Sequence, residues 1–131
     1  MRRRNLLAGA GSVAALPLLS TLSTSARAQS SGVTDNTIVL GQSAPFSGAA
    51  EQLGLQFHLG AQLYFEALNQ KGGVNGRRIE LKRLDDGYEP ERCAANTKQL
   101  IDEGVFSLFG YIGTPTSVVA LPLATAAKVP Y

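Results

Sequence analysis

Few side chains in this sequence can do catalytic chemistry, and none sits in a recognisable catalytic spacing. There is one histidine, His58, and one cysteine, Cys93. A lone histidine and a lone thiol supply neither a metal-ligand set nor an internal disulfide. His58 falls in a helical pattern and reads as an ordinary surface or half-buried residue. Cys93, within Cys93-Ala94-Ala95-Asn96-Thr97, suits the apolar face of a helix, so core packing is its expected role. Asp85-Asp86 suggests metal or acid–base chemistry, but at a strand end its blander role is to shape and solvate a loop, and that role is favoured. Gly9-Ala10-Gly11-Ser12-Val13-Ala14 matches the G-x-G-x-x-A dinucleotide fingerprint, yet no strand precedes it, so it is rejected. No G-x-S-x-G or phosphate-loop motif is present. The sequence therefore predicts no catalytic residues, no cofactor and no metal.

The N-terminus explains the charge. Met1-Arg2-Arg3-Arg4 is basic, an apolar stretch runs from Leu6 to Leu19, and small and polar residues lead to Ala26-Arg27-Ala28. This order predicts a secretory signal peptide over 1–28, cleaved after Ala28. Gly9, Gly11, Ser12, Pro17, Ser20 and Thr21 interrupt the run, which disfavours a membrane anchor. Arg3-Arg4 followed by Asn5, Leu6 and Leu7 also fits twin-arginine export, although Arg2 stands where that signal prefers Ser or Thr. Either route predicts a periplasmic protein. Loss of the signal removes four of 12 basic residues and none of the 10 acidic ones, leaving net −2. The basic balance belongs to the leader and gives no support for nucleic-acid binding.

Residues 29–36 form a polar leader. Then Thr37-Ile38-Val39-Leu40-Gly41-Gln42-Ser43-Ala44 reads as a buried strand ended by Pro45. A helix follows over about 52–70, with Leu55, Leu59, Leu63 and Leu68, joined by Ala61, Tyr64, Phe65 and Ala67, forming a broad apolar face. Lys71-Gly72-Gly73 stops it and Asn75-Gly76 signals a tight turn. Residues 79–84 read as a second strand, and a helix from Pro90 to Gly104 carries Cys93, Ala94, Thr97, Leu100 and Ile101 on one face. Residues 105–110 are a third strand, 116–128 a third helix that Pro122 should kink or delay, and Val129-Pro130-Tyr131 the opening of a fourth strand. The uncharged stretch 104–127 is read as strand, loop and helix, not a span, because Gly110, Gly113, Pro115 and Pro122 interrupt it.

Alternating strands and helices predict an α/β fold: a parallel sheet with right-handed crossovers and helices on both faces. Ligands of such sheets bind beyond the C-terminal strand ends, near helix N-termini. Three loops lie there: residues 45–52, 85–89 and 110–116.

Several stretches together resemble the periplasmic leucine/isoleucine/valine-binding proteins of ABC transporters, of the type I periplasmic binding fold. They are Gly41-Gln42-Ser43-Ala44-Pro45-Phe46-Ser47-Gly48, the run from Ala67 to Ile79 with its Asn-x-x-Gly-Gly-Val-Asn-Gly core, Asp85-Asp86 with Pro90 following, and the loop 110–116. The resemblance covers about 33–131. It implies a small zwitterion held between two α/β lobes, with hydroxyls and free N–H groups of the first lobe receiving its carboxylate. Thr114 falls where the family uses a hydroxyl residue after the third strand. Thr116 and Ser117 could add donors, and Ser47 and Gly48 line the first loop. Leu53 falls where leucine-type relatives place a large side chain against the ligand's apolar end, and its smaller group opens the pocket to other ligands.

Some relatives carry a disulfide between the second and third loops; those places here hold Tyr88 and Gly113, and Cys93 does not replace it. The resemblance further implies that residues 37–131 are the N-terminal part of lobe I, truncated before the later ligand contacts. The implied function is the solute-binding component of an ABC importer. It would take a branched-chain or related amino acid, or another small carboxylate, to permease subunits in the inner membrane. A periplasmic sensing domain of a receptor with the same fold is the alternative.

Overall fold

A computed structural model describes residues 31–131, so the expected signal peptide and the start of the leader lie outside the described residues. The elements run β1 (Thr37–Ala44), α1 (Glu51–Gln70), β2 (Arg78–Asp85), α2 (Pro90–Asp102), β3 (Ser107–Leu108) and α3 (Thr114–Ala127). The three strands form one parallel sheet in the order β2-β1-β3. β1 and β2 pair from Thr37↔Arg78 to Ala44↔Asp85, so their following loops leave the sheet side by side.

Successive residues of a strand face opposite sides of the sheet. On β1, a β-carbon at Gly41 would meet Leu100 of α2, while Gln42 bonds His58 of α1. Helix α1 therefore covers one face and α2, packed against α3, covers the other. The core lies on the α2–α3 side: Leu100, Val105, Leu108 and Ala124, with Val39, Leu84, Tyr111 and Val129 against it. The small residues Ala120 and Ala124 of α3 are fully buried, as are Cys93, Thr97 and Leu100 of α2.

The far end of the sheet is held by the most specific motif. Asn69 closes α1 and uses its whole amide on one residue of β2, accepting from the Ile79 N–H at 2.8 Å and donating to the Ile79 carbonyl at 2.9 Å. Asn75 and Gly76, both at positive φ, make the tight turn between Val74 and Arg77.

Four expectations change. The broad apolar face of α1 splits: Gly54 and His58 are buried, and Leu55, Ala61, Phe65 and Leu68 half-buried, while Leu59, Leu63 and Tyr64 are exposed. His58 is buried, not a surface or half-buried residue, because its ring is bonded to Gln42 inside the sheet–helix layer. β3 is shorter than 105–110, since Gly110 turns the chain at φ 69°. α3 begins at Thr114, two residues early, because Pro115 is well suited to the first helical turn, and the helix runs through Pro122. The uncharged stretch 104–127 becomes strand, loop and helix, and among the described residues no helix is long and apolar enough to cross a membrane. Leu108 donates to the Pro130 carbonyl at 2.8 Å, which sets 129–131 beside β3.

Two glycines of α1 give a prediction. A β-carbon at Gly54 would overlap the Pro45 carbonyl, whereas one at Gly60 meets nothing within 4 Å. Gly60→Ala should stabilise the full-length gene product by up to about 1 kcal/mol, as helix propensity dictates. Gly54→Ala should destabilise it by about 1–3 kcal/mol through overpacking. Denaturant unfolding of both variants checks the opposite signs.

Candidate ligand-binding site

The three loops meet at the C-terminal ends of the strands. A β-carbon at Gly48 would lie 3.8 Å from the Gly87 carbonyl, and one at Gly87 would lie 3.5 Å from Ser47 Oγ, so the first and second loops touch. A β-carbon at Gly113 would fall 2.5–2.8 Å from the Tyr88 ring, so the second and third touch as well. Gln42 Nε2 donates to the Gly110 carbonyl at 3.1 Å and joins the first strand to the third loop. From β1 the chain passes to β2 on one side, then returns to β3 on the other. The crevice between β1 and β3 is thus the switch point at which open α/β sheets bind ligands.

Asp85 organises the first two loops. Its Oδ1 accepts from the Phe46 N–H at 2.8 Å and the Gly87 N–H at 2.9 Å; its Oδ2 accepts from Ser47 Oγ at 2.6 Å and Arg92 at 2.9 Å. Burial by itself would raise the carboxyl pKa, but the bonds from Ser47, Phe46, Gly87 and Arg92 outweigh it and hold it at about 2. Asp86 is fully buried and accepts from Ser43 Oγ at 2.7 Å and the Tyr88 N–H at 2.9 Å. Asn96 donates to Ser43 Oγ and to the Asp85 carbonyl. Both aspartates spend their acceptors on loop backbone and neighbouring side chains, which is the structural role favoured from the sequence.

The third loop ends in the N-terminus of α3. Gly113 sits at φ 100°, ψ 141°, a conformation open to glycine, and Thr114 is the first helical residue. The first intrahelical bond is Ser117 N–H to the Gly113 carbonyl. The N–H groups of Thr114 and Thr116 precede it at the positive end of the helix dipole. An open hollow of about 430 Å³ lies beside this turn, lined by Gly113, Thr114, Ser117, Val118, Leu121 and Tyr131. Burial raises the Tyr131 hydroxyl pKa. Tyr111 braces the loop from beneath: its hydroxyl lies 3.0 Å from Thr97 Oγ1 and its ring packs 5.0 Å from that of Tyr131.

The six candidate residues are placed differently. Thr114 is exposed, and with Ser117 it faces the hollow. Thr116 is fully buried, and its hydroxyl is directed to the Ile112 and Gly113 carbonyls at 2.6 and 2.9 Å. The Ser47 hydroxyl donates its hydrogen bond to Asp85, so toward a ligand its oxygen can only accept. Gly48 stands exposed on its loop, and Leu53 is 59% exposed on the first turn of α1. Where the resemblance puts a disulfide, Tyr88 at φ 70° lays its ring on Gly113. Cys93 is buried, and burial, reinforced by Asp86, pushes its thiol up to about 11, so it is an inert packing residue. Gln42, Ser43 and Tyr111 were not read as site residues; polar side chains ending an otherwise apolar strand were the available signal for the first two.

These environments set a pH dependence. Asp85 is held below 3.8, so its ionised form stabilises the fold above about pH 4, and that contribution is lost as pH falls from 4 toward 2. His58 is lowered from 6.5 by burial and by Arg83, so proton uptake by the unfolded chain below that pH weighs against the fold. Thermal unfolding from pH 8 to 2 should show both losses. Asp85→Asn should flatten the lower one and be less stable at pH 7; His58→Gln should flatten the upper one.

The periplasmic binding protein family model matches residues 37–131. A Leu/Ile/Val-binding protein homologue of Brucella melitensis is 31% identical over 87 residues, covering 66% of this chain and 23% of that one. The substrate-binding protein of a branched-chain amino acid transporter from Streptococcus pneumoniae, solved with isoleucine, superposes at TM-score 0.69 with 30% identity, covering 72% of this chain and 28% of that one. An ABC-transporter solute-binding protein from Rhodopseudomonas palustris, solved with 3,4-dihydroxybenzoic acid, superposes at 0.66 with 32% identity, covering 72% and 26%. This chain spans about a quarter of the length of these relatives. With a parallel three-strand sheet, helices on both faces and a family match running from the start of β1 to Tyr131, the chain belongs to the periplasmic binding protein family.

Proposed function

We propose that this chain supplies the carboxylate-receiving half of a solute-binding site in an ABC importer. The ligand is a branched-chain amino acid or a related small carboxylate, captured in the periplasm and passed to permease subunits in the inner membrane. The carrying observation is the exposed N-terminal turn of α3 at the β1/β3 crevice, with Thr114 and Ser117 beside the hollow. An anion there meets the Thr114 N–H, the Thr114 and Ser117 hydroxyls and the helix dipole. Ser47, its hydroxyl hydrogen-bonded to Asp85, and Gly48 face the ligand from the first loop, and Leu53 contributes apolar surface. No step of this task breaks a covalent bond, so the protein acts as a binder and not as an enzyme. The basic, apolar and A-x-A segments of residues 1–28 act as a cleavable export signal, by the twin-arginine or general secretory route.

The relatives support a carboxylate and leave its apolar part open, since isoleucine and 3,4-dihydroxybenzoic acid share only the acid group. Thermal-shift screening of the full-length gene product against L-leucine, L-isoleucine, 3,4-dihydroxybenzoate, urea and glucose tests the proposal. A true ligand at 100 times its Kd should add about 2.7 kcal/mol of stability. Thr114→Ala should weaken the responding carboxylate roughly ten- to hundredfold, the value of a hydrogen bond to a charged group. A response to glucose and to no carboxylate sinks the ligand class; an unchanged Kd in Thr114→Ala sinks the site assignment.

A further inference from the structure

Gln42 is fully buried in the central strand, on the face covered by α1. Its amide has one possible orientation. The Gly110 carbonyl can only accept, so the atom 3.1 Å from it is the amide nitrogen. The amide oxygen is then directed at His58 Nδ1, 2.7 Å away, and that ring nitrogen must carry the proton. His58 is 4% exposed and packs edge-on against Phe46, with ring centroids 5.5 Å apart. The chain of bonds runs from α1 through β1 to the residue at which the third loop leaves the sheet. It links β1 to the start of the third loop, next to the crevice proposed for the ligand.

Gly110 shows how closely this is fitted. It sits at φ 69°, and a β-carbon there would fall 2.8 Å from Gln42 Nε2 and 2.6 Å from Phe57 Cε1. The start of the loop is pressed between the amide and the ring, and Thr114 begins α3 four residues on. A buried amide needs partners to offset its desolvation, and an apolar side chain of that size would need none. The bonds of Gln42 therefore do something that packing alone does not.

We propose that Gln42 and His58 are positioning residues of the ligand site. His58 holds the Gln42 amide so that it donates to Gly110, and this fixes where the third loop sets the N-terminus of α3. The effect on ligand affinity rests on the function proposed above, whereas the effect on the loop does not. Arg83 of β2, stacked 5.1 Å over Phe46, is the charged group felt at His58.

The test uses the full-length gene product with Gln42→Met, Gln42→Glu, His58→Leu and His58→Asn. Ligand-free amide hydrogen exchange at residues 111–114 reads the loop, and Kd for L-leucine and for 3,4-dihydroxybenzoate reads the site. Gln42→Met should speed exchange at 111–114 at least tenfold, leave the interior of α2 unchanged, and weaken the bound probe five- to fiftyfold. His58→Leu should follow it, whereas His58→Asn, whose amide nitrogen can replace Nδ1 as donor, should stay within about threefold of the unaltered protein. Gln42→Glu adds a signature that lost packing does not produce. Its carboxyl can donate to Gly110 only when protonated, so loop protection should fall between pH 5 and 8 while that of the unaltered protein stays constant after correction for intrinsic rates.

Unchanged exchange in Gln42→Met, or pH-independent protection in Gln42→Glu, overturns the positioning role. Faster exchange with an unchanged Kd overturns its link to binding. If the unaltered protein binds neither probe nor any other carboxylate of the thermal-shift screen, the proposed function fails and the exchange results still decide whether the amide holds the loop.

Discussion

Two polar side chains stand next to each other, fully buried, at the end of the central strand, and the geometry of the ligand end depends on them. Because neighbours on a strand face opposite ways, Gln42 reaches into the α1 layer and Ser43 into the α2 layer. Gln42 ties the third loop through Gly110, and Ser43 ties the second through Asp86. The first loop hangs between them, fastened by Phe46 and Ser47 to Asp85. The ends of β1 and β2 thus set three loops with bonds that would leave orphaned polar groups if broken. Among the described residues, no buried side-chain nitrogen or oxygen lacks a partner.

Much of this was legible from residue order. The β-branched start of β1 and Pro45 mark that strand, Lys71-Gly72-Gly73 ends α1, Pro90 opens α2, and Asn75-Gly76 makes its turn. What was not legible depends on neighbours. An apolar helix surface shows which residues can be buried, not which will be, so Leu59, Leu63 and Tyr64 read like Leu55 and Phe65 although only the latter turn inward. His58 looked ordinary because its partner lies 16 positions away on another element. β3 was over-read because Gly110 sits in the same apolar run as Leu108 but adopts a turn conformation.

At the site, pattern located the loops and chemistry decided the roles. Hydroxyl residues were legible as candidates, yet a hydroxyl has one proton and the sequence does not say where it goes. Thr116 directs its proton to two backbone carbonyls and Ser47 directs its own to a carboxylate. Thr114, exposed at the start of α3, and Ser117 are the hydroxyl residues that remain beside the hollow.

The ring of Tyr88 lying on Gly113 has a further consequence. The second and third loops are joined by contact and not by a covalent bridge, and the single thiol of the sequence is enclosed by α2 and α3. Among the described residues no disulfide contributes to this contact, so a reductant has no bond between these two loops to break.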